Sequence, residues 1–185
     1  MTSVPLSEAP DAILVGRAAD GDVRAFDVLI RRYGQLMQSY ARHLLGSTAE
    51  SDDVVQHAFI TAWQQLSTLS DPGAVKPWLM RIVNRKSLDR IRARRPDDSL
   101  DDNDAIVAGT GSDPEHVAVS RALQSAVAVA LSALPENQRR CWLMKEIAGY
   151  SYENISEELG LPVSTVRGLL ARARRSLIRE MEPWR

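Results

Sequence analysis

The segment SYENISEELGLPVSTVRGLLARARR, residues 151–175, decides the fold prediction for the C-terminal part of the chain. It combines a short helix, a tight turn at Gly160 and Pro162, and a second helix with a basic polar face, which is the helix-turn-helix pattern. The apolar residues of both halves have the spacing needed to pack the two helices together: Ile155, Leu159, Leu161, Val166, Leu169 and Leu170. The segment therefore predicts a DNA-binding module.

In such a module the N-terminal part of the second helix meets base edges in the major groove. Arg167 is placed there and is suited to a bidentate contact with guanine, while Ser164 and Thr165 are suited to phosphate contacts. Arg172, Arg174, Arg175 and Arg179 continue the basic run, and no acidic residue lies between Arg167 and Arg179. A solvated arginine face on a core helix is the alternative interpretation.

Helical periodicity extends over most of the remaining chain, and no sustained apolar–polar alternation indicates a strand. We predict helices over residues 11–19, 23–45, 48–66, 77–94, 113–133, 135–149, 151–159 and 164–181. Gly46 is suited to cap the second helix at its C-terminus, and Thr48 or Ser51 is suited to cap the third at its N-terminus. The expected fold class is all-α.

The formal net charge of −1 over 185 residues conceals an uneven distribution. Residues 1–95 have a net charge of +3, residues 96–113 carry six aspartates and no basic residue, and residues 114–185 have a net charge of +2. The acidic stretch has too few apolar residues to form a core, so we predict a flexible linker. The expected organisation is a tail (1–10), a helical domain (11–95), the acidic linker (96–113) and a second helical domain (114–185).

Several classes of site are disfavoured by composition. The single cysteine, Cys141, excludes an intramolecular disulfide, and we expect it to be a packing residue. His43, His57 and His116 share no metal-ligand spacing with it. We find no nucleophile–base pair and no phosphate-binding glycine loop, so we expect no catalytic residues, no cofactor, no metal and no small-molecule substrate. The absence of a signal-like or membrane-spanning stretch predicts a soluble, cytoplasmic protein.

A second basic helix lies in the first domain. Residues 76–95 contain eight basic side chains opposed by Asp89 alone. Arg81, Arg85 and Arg92 fall within about 40° of one another on a helix, which favours nucleic acid as the partner. Trp78 is either a stacking surface for an unpaired base or, as we favour, a core anchor.

The third helix has two stripes. Val55, Phe59, Ala62 and Leu66 are expected to face the core. A mixed polar–aromatic stripe of Asp53, Gln56, Ile60 and Trp63 lies about 110° around the helix and resembles an interface hot spot. Burial of this helix on two sides within its own bundle is the alternative.

Four groups of residues form a series of motifs along the chain. They are Gly21-Asp22 with Ala25-Phe26, Leu29 and Arg32-Tyr33; Asp53-Val54-Val55-Gln56 with Phe59 and Trp63; Trp78-Leu79 with Ile82, Asn84, Asp89 and Arg92; and Leu134-Pro135 with Gln138-Arg139, Gly149-Tyr150-Ser151-Tyr152, Val166-Arg167 and Arg172-Ala173-Arg174. In this order and spacing, the motifs resemble those of the extracytoplasmic-function (ECF, group four) sigma factors of bacterial RNA polymerase.

The resemblance implies an alternative sigma factor with a region 2 bundle and a region 4 helix-turn-helix, which directs core polymerase to minus-ten and minus-thirty-five promoter elements. Its implied partners are the clamp coiled coil of the largest polymerase subunit, promoter DNA and an anti-sigma factor. The implied core-binding residues are Asp53, Gln56, Phe59, Ile60 and Trp63. The implied minus-ten residues are Lys76, Trp78, Arg81, Asn84, Arg85 and Arg92, and the minus-thirty-five residues are Lys145, Ser164, Thr165, Arg167, Gly168, Ala171, Arg172 and Arg175.

The chain departs from the family pattern in both helices of the helix-turn-helix. The first has Asn154-Ile155-Ser156 where family members often carry Glu-Ile-Ala. Gly168 and Ala171 stand where polar or aromatic side chains often follow the recognition arginine, which shifts base reading towards Arg167 and Arg172. An autonomous helix-turn-helix regulator is the alternative function, and an enzyme with a DNA-binding tail lacks a candidate site. We also hypothesise that the acidic linker discourages nonspecific DNA binding by the free protein.

Overall fold

The computed structural model describes residues 5–94 and 114–184, and all regular secondary structure within these ranges is helical. The chain divides into two compact units, Met1–Ser99 and Leu100–Arg185. The all-α prediction is thus confirmed for the described residues. The predicted acidic linker lies outside them, and the domain boundaries that we drew on either side of it stay predictions. None of the described helices combines the length and apolar character that crossing a membrane requires.

The first unit is built from four long helices, with short 3-10 turns before the first and between the last two. The helices are α1 (Asp11–Ala19), α2 (Val23–Leu45), α3 (Thr48–Gln65) and α4 (Val75–Ala93). Helices α2, α3 and α4 pack against one another, and α1 packs on α2. Large side chains from all four helices fill the core, among them Leu14, Leu29, Tyr40, Leu79 and Met80.

Local capping chemistry sets the ends of α2. The side chain of Asp22 accepts hydrogen bonds from the backbone N–H groups of Arg24 and Ala25 at its N-terminus. At the other end Gly46 has φ = 71°, a left-handed conformation that glycine adopts without steric penalty. Both ends coincide with the boundaries predicted from the sequence.

The prediction for the cap of α3 was wrong. Ser47 is the N-cap, and its hydroxyl accepts a hydrogen bond from the backbone N–H of Glu50. Thr48 is the first helical residue, while Ser51 lies inside the helix, fully buried, and donates to the carbonyl of Thr48. The segment 47–51 offers three hydroxyl residues, and the one that follows Gly46 directly has the extended backbone that a cap requires.

A carboxylate on α3 fixes the C-terminal end of α4. Glu50 accepts from Arg90, with 2.8 Å between Nε and Oε1, and also from Arg94. Arg94 in turn donates to the carbonyl of Leu45, the last residue of α2, at 2.6 Å. Burial raises the pKa of Glu50, but the two arginine hydrogen bonds outweigh it and the net pKa is lowered. Three helices are therefore joined at one point.

The second unit comprises α5 (Pro114–Ser132), α6 (Glu136–Trp142), α7 (Tyr152–Leu159) and α8 (Val163–Met181). Ser151 caps α7 by accepting from the backbone N–H of Asn154 at 3.0 Å. The core contains Leu131, Leu143, Met144, Ile155 and Leu170, together with Cys141, which is fully buried in agreement with its expected packing role. Burial raises the pKa of the Cys141 thiol to about 11.

The helix predicted over residues 135–149 is not uniform. The α-helical part ends at Trp142, and a π-helical turn, Leu143–Ile147, completes the element. Such turns widen the helix locally and often occur at functional positions. Here the turn carries Lys145 and Glu146, which both contact other elements of this unit.

Candidate protein and nucleic-acid interfaces

The outer face of α3 exposes the mixed stripe that the sequence indicates. Asp53 and Gln56 are exposed, as are Ile60 (50%) and Trp63 (37%). The helix buries a different face, formed by Val54, Val55, Ala58 and Ala62, and Leu66 directly after it is buried as well. The alternative of a helix buried on two sides is therefore wrong. An exposed isoleucine and tryptophan beside polar groups have the composition of a protein-binding surface.

Phe59 occupies an intermediate place on α3. The sequence assigned it both to the core stripe and to the binding residues, and the structure leaves it half-buried. Its ring lies edge-on to that of Phe26 on α2, with the ring centroids 6.3 Å apart, and Trp63 contacts the same Phe26. These three rings form an aromatic cluster that connects the exposed stripe to the core of the bundle.

The predicted basic face of α4 is present, but three of the basic residues counted in the sequence form ion pairs with carboxylates. Arg81 and Arg85 are exposed, and Lys76 is exposed at the start of the helix. Arg92 is also exposed, but it pairs with Asp89 at 3.2 Å. Arg90 and Arg94 are engaged by Glu50. Trp78 is half-buried, so its ring is neither a free stacking surface nor a fully buried anchor.

Asn84 does not belong to this DNA-facing set. It is fully buried, and its Oδ1 accepts a hydrogen bond from the hydroxyl of Tyr40 on α2, with 2.6 Å between the oxygens. A side chain without exposed area has no means of contacting DNA in this fold. The inclusion of Asn84 among the minus-ten residues was therefore wrong, because the sequence motif specifies a position but not the direction in which the side chain points.

The recognition helix candidate, α8, presents its predicted residues to solvent. Its exposed members are Ser164, Thr165, Arg167, Ala171, Arg172 and Arg175, while Gly168 is half-buried. No side chain caps the N-terminus, which Pro162 precedes, so the first N–H groups are left for an outside acceptor. Val166 and Leu170 hold the opposite face in the core.

One arginine of the α8 run forms an ion pair with an acidic residue of another element. Arg174 donates to Glu146 of the π-helical turn at 2.7 Å, and this hydrogen bond raises the pKa of Arg174. The sequence interval between Arg167 and Arg179 contains no acidic residue, so the pairing depends on a residue 28 positions earlier. Arg174 thus ties α8 to the π-helical turn, and Arg167, Arg172 and Arg175 form the outward basic surface.

Tyr152, the first residue of α7, was missed as a site residue by the sequence analysis. The Nζ atom of Lys145 lies 4.8 Å from the centroid of its ring, and the Cζ atom of Arg167 lies 5.4 Å from the same centroid. Lys145 Nζ also donates to the carbonyl of Tyr150 at 3.1 Å. The local sequence around the tyrosine does not indicate this role, because Lys145 lies 7 residues before it and Arg167 lies 15 residues after it.

Gly168 has room for a side chain in the free protein. A Cβ atom placed on it would meet only the guanidinium of Arg172, at 3.6 Å, which is an ordinary contact. Packing within this unit therefore does not require glycine at this position.

Within the described ranges, no cluster of His, Cys, Asp or Glu has the arrangement of a metal site. The interfaces described above consist of exposed apolar, aromatic, polar and charged groups.

Two protein-family models match the chain, one in each of its two compact units. Sigma-70 region 2 matches residues 29–96, and Sigma-70 region 4 matches residues 124–177. The ECF RNA polymerase sigma-E factor of Escherichia coli strain K12 is 34% identical, over 94% of this chain and 95% of its own length. The RNA polymerase sigma-H factor of Pseudomonas aeruginosa is 30% identical, over 96% and 97% of the two chains.

Two solved structures are similar in fold. CnrH in complex with the cytosolic domain of CnrY is 30% identical, with a TM-score of 0.55 over 94% of this chain and 97% of that one. The sigma factor RpoE in complex with the anti-sigma factor NepR from Bartonella quintana is 21% identical, with a TM-score of 0.57 over 84% and 97%.

Proposed function

Since this chain belongs to the ECF family of RNA polymerase sigma factors and directs RNA polymerase to promoters, we propose a division of that task among three surfaces. The stripe on α3 binds core polymerase, the basic face of α4 engages the minus-ten element, and α8 engages the minus-thirty-five element. The observation that supports this most strongly is the presence, on one chain, of an exposed apolar stripe and two separate basic helices.

For core binding we propose Asp53, Gln56, Ile60 and Trp63 as the contact residues, with Phe59 as their support. Ile60 and Trp63 offer apolar area that binding would bury, and Asp53 and Gln56 offer the polar groups that fix orientation. The proposed binding partner of this stripe is the clamp coiled coil of the largest polymerase subunit. An exposed apolar face of a single helix is suited to a helical partner.

For the minus-ten element we propose Lys76, Arg81, Arg85 and Arg92, with the half-buried Trp78 at the start of α4. Cations along a helix attract the phosphate backbone, and the exposed part of the Trp78 ring offers an apolar contact to an unpaired base. The Glu50 contacts fix the end of α4, so the helix is a rigid support for these side chains.

For the minus-thirty-five element we propose the outward surface of α8 with Lys145 beside it. Arg167 is the base-reading candidate, Arg172 and Arg175 lie further along the helix, and Ser164 and Thr165 stand at its N-terminus. The side chains of Gly168 and Ala171 have no hydrogen-bonding group. We therefore propose that these two small residues allow DNA to approach the helix closely.

We also propose a regulatory protein partner of the anti-sigma type. CnrH, which is 30% identical, was solved with the cytosolic domain of CnrY. The exposed α3 stripe is a suitable target, because a partner that covers it competes directly with core polymerase. The chain acts through the polymerase and carries no catalysis of its own, and it works in the cytoplasm, where polymerase and chromosome are present.

An autonomous helix-turn-helix regulator is not favoured, because the similarity to sigma factors extends over 94% of the chain rather than over α7 and α8 alone. Gel filtration with core polymerase distinguishes the two functions. A sigma factor co-elutes with core and binds promoter DNA tightly only in that complex. Tight, sequence-specific binding to duplex DNA by the chain alone, without co-elution, would support the autonomous regulator instead.

A further inference from the structure

The ring of Tyr152 contacts two cationic side chains that come from different elements. Lys145 belongs to the π-helical turn and Arg167 to the second turn of α8, whereas Tyr152 begins α7. Both cations lie within cation–π distance of one ring, at 4.8 and 5.4 Å from its centroid. This arrangement connects all three elements that surround the proposed DNA surface.

Two like charges that contact one ring repel each other, and the surrounding groups offset that repulsion. The face of an aromatic ring is electron-rich and attracts cations. The exposed carboxylate of Glu153, next to Tyr152, is also near them. Its pKa is lowered by hydrogen bonds from its own backbone N–H and from Ser151, with smaller contributions from the charges of Arg167 and Lys145. The site therefore holds two cations together before DNA is bound.

Lysine and arginine side chains lose considerable rotamer freedom when they are fixed on a ligand. Lys145 is restrained twice, by the ring of Tyr152 and by the carbonyl of Tyr150 at 3.1 Å. Arg167 is restrained by the same ring. Part of the ordering that DNA binding demands is thus already present in the free protein.

We propose that Tyr152 is a positioning residue that presents Lys145 and Arg167 to DNA as a coupled pair and thereby sharpens the base preference of Arg167. The inference rests on the proposed role of α8 in promoter recognition and adds to it a residue outside the recognition helix. The hydroxyl group of Tyr152 accepts a hydrogen bond from Arg174, whereas Lys145 and Arg167 contact the ring. The proposal therefore predicts that the ring is essential for this role and that the hydroxyl group is dispensable.

The test uses core polymerase reconstituted with the full chain and a library of duplex DNA with randomised sequence. Bound DNA sequences are selected from the library with the wild-type chain and with three variants, Tyr152→Phe, Tyr152→Leu and Arg167→Ala. The affinity of each protein is then measured for the consensus sequence that the wild-type chain selects. Each exposed cation–π contact corresponds to a factor of about 2–5 in an equilibrium constant. We therefore expect Tyr152→Leu to bind about 5–30-fold more weakly, while Tyr152→Phe stays within twofold of wild type.

The selected sequences separate positioning from general damage. Tyr152→Leu should lose the base preference that Arg167→Ala loses and retain the preferences at the remaining positions. Retention of the Arg167-dependent preference in Tyr152→Leu would overturn the inference. If Arg167→Ala selects the same sequences as the wild-type chain, Arg167 does not read a base. That result would contradict the proposed function of α8 rather than the role of Tyr152.

A second measurement needs no variant and so does not depend on the folding of Tyr152→Leu. Protons above an aromatic face resonate upfield. The Lys145 ε-methylene signal of the free chain should therefore lie upfield of the same signals of Lys76 and Lys86, the other two lysines. Identical shifts for all three lysines would contradict the arrangement.

Discussion

The indole ring of Trp63 contacts the ring of Phe26, with 5.0 Å between the ring centroids and an angle of 63° between the ring planes. Phe26 is buried, whereas Trp63 keeps 37% of its surface exposed. One partner thus belongs to the core and the other to the outer face of α3. The contact holds the indole in place before any partner arrives, which reduces the entropy that binding must lose.

The double substitution Gln56→Ala and Trp63→Ala should weaken the binding of core polymerase by about 2–4 kcal/mol, because it removes a hot-spot aromatic and a polar neighbour. Fluorescence-detected titration of labelled core polymerase measures the change. Gln65→Ala, an exposed glutamine on the opposite side of α3, is the matched control and should bind as wild type does. Equal affinities for the double variant and the control would remove this stripe from the interface.

Asn84→Ala should destabilise the first unit by about 1–3 kcal/mol, because it leaves a buried polar group of Tyr40 without this hydrogen bond. Hydrogen exchange of amides in residues 5–94 reports the stability of this unit separately. We expect the DNA affinity of the folded fraction to be unchanged. A normal stability combined with a specific loss of minus-ten recognition would restore Asn84 to the DNA surface.

Glu50→Gln tests the contact between α3, α4 and the end of α2. Because the folded-state pKa of Glu50 is lowered, its carboxylate stabilises the fold above the unfolded pKa, and this contribution disappears as the pH falls through the folded value. We expect a loss of about 1–2 kcal/mol at pH 7 and a diminishing difference from wild type below about pH 4.

Stability of the first unit as a function of pH measures the effect, with Asp53→Asn as the control for removal of an exposed carboxylate from the same helix. A difference between Glu50→Gln and wild type that is the same at pH 3 and pH 7 would show that the ionised carboxylate is not the stabilising group.

Arg81→Ala and Arg85→Ala should each weaken promoter binding by the holoenzyme and reduce the slope of log K against log salt by up to about 1, since each removes a phosphate contact. Arg31→Ala, which removes an exposed arginine from α2, should leave the slope unchanged. A salt dependence that is identical in all three variants would place the DNA elsewhere on this unit.

The helix boundaries followed from local chemistry, which explains why the sequence predicted them well. Asp22 and Gly46 determine the ends of α2 through contacts with residues at most four positions away. The cap of α3 was misassigned because three neighbouring hydroxyl residues compete for one role. Local patterns therefore specify that a cap exists more reliably than they specify which residue provides it.

The site residues depend on contacts that no local pattern contains. Tyr40 and Asn84 are separated by 44 residues, and Glu146 and Arg174 by 28. Periodicity identified the outward faces of α3 and α8 correctly, because burial repeats with the helical turn. The spacing of α4 also places Asn84 on the inward face, four residues after Met80 and four before Leu88, and the motif match was wrongly preferred to it. Periodicity gave no indication that Arg174 is paired or that Tyr152 contacts both Lys145 and Arg167.

Run-off transcription tests the central claim most directly. Core polymerase, purified without any sigma factor, is combined with the full chain and a library of genomic fragments, and the 5′ ends of the transcripts are mapped. We predict transcripts that require the chain and that share two upstream elements, with Gln56→Ala and Trp63→Ala suppressing all of them and Arg167→Ala altering the preferred upstream element. Transcripts that are the same with and without the chain would contradict the account.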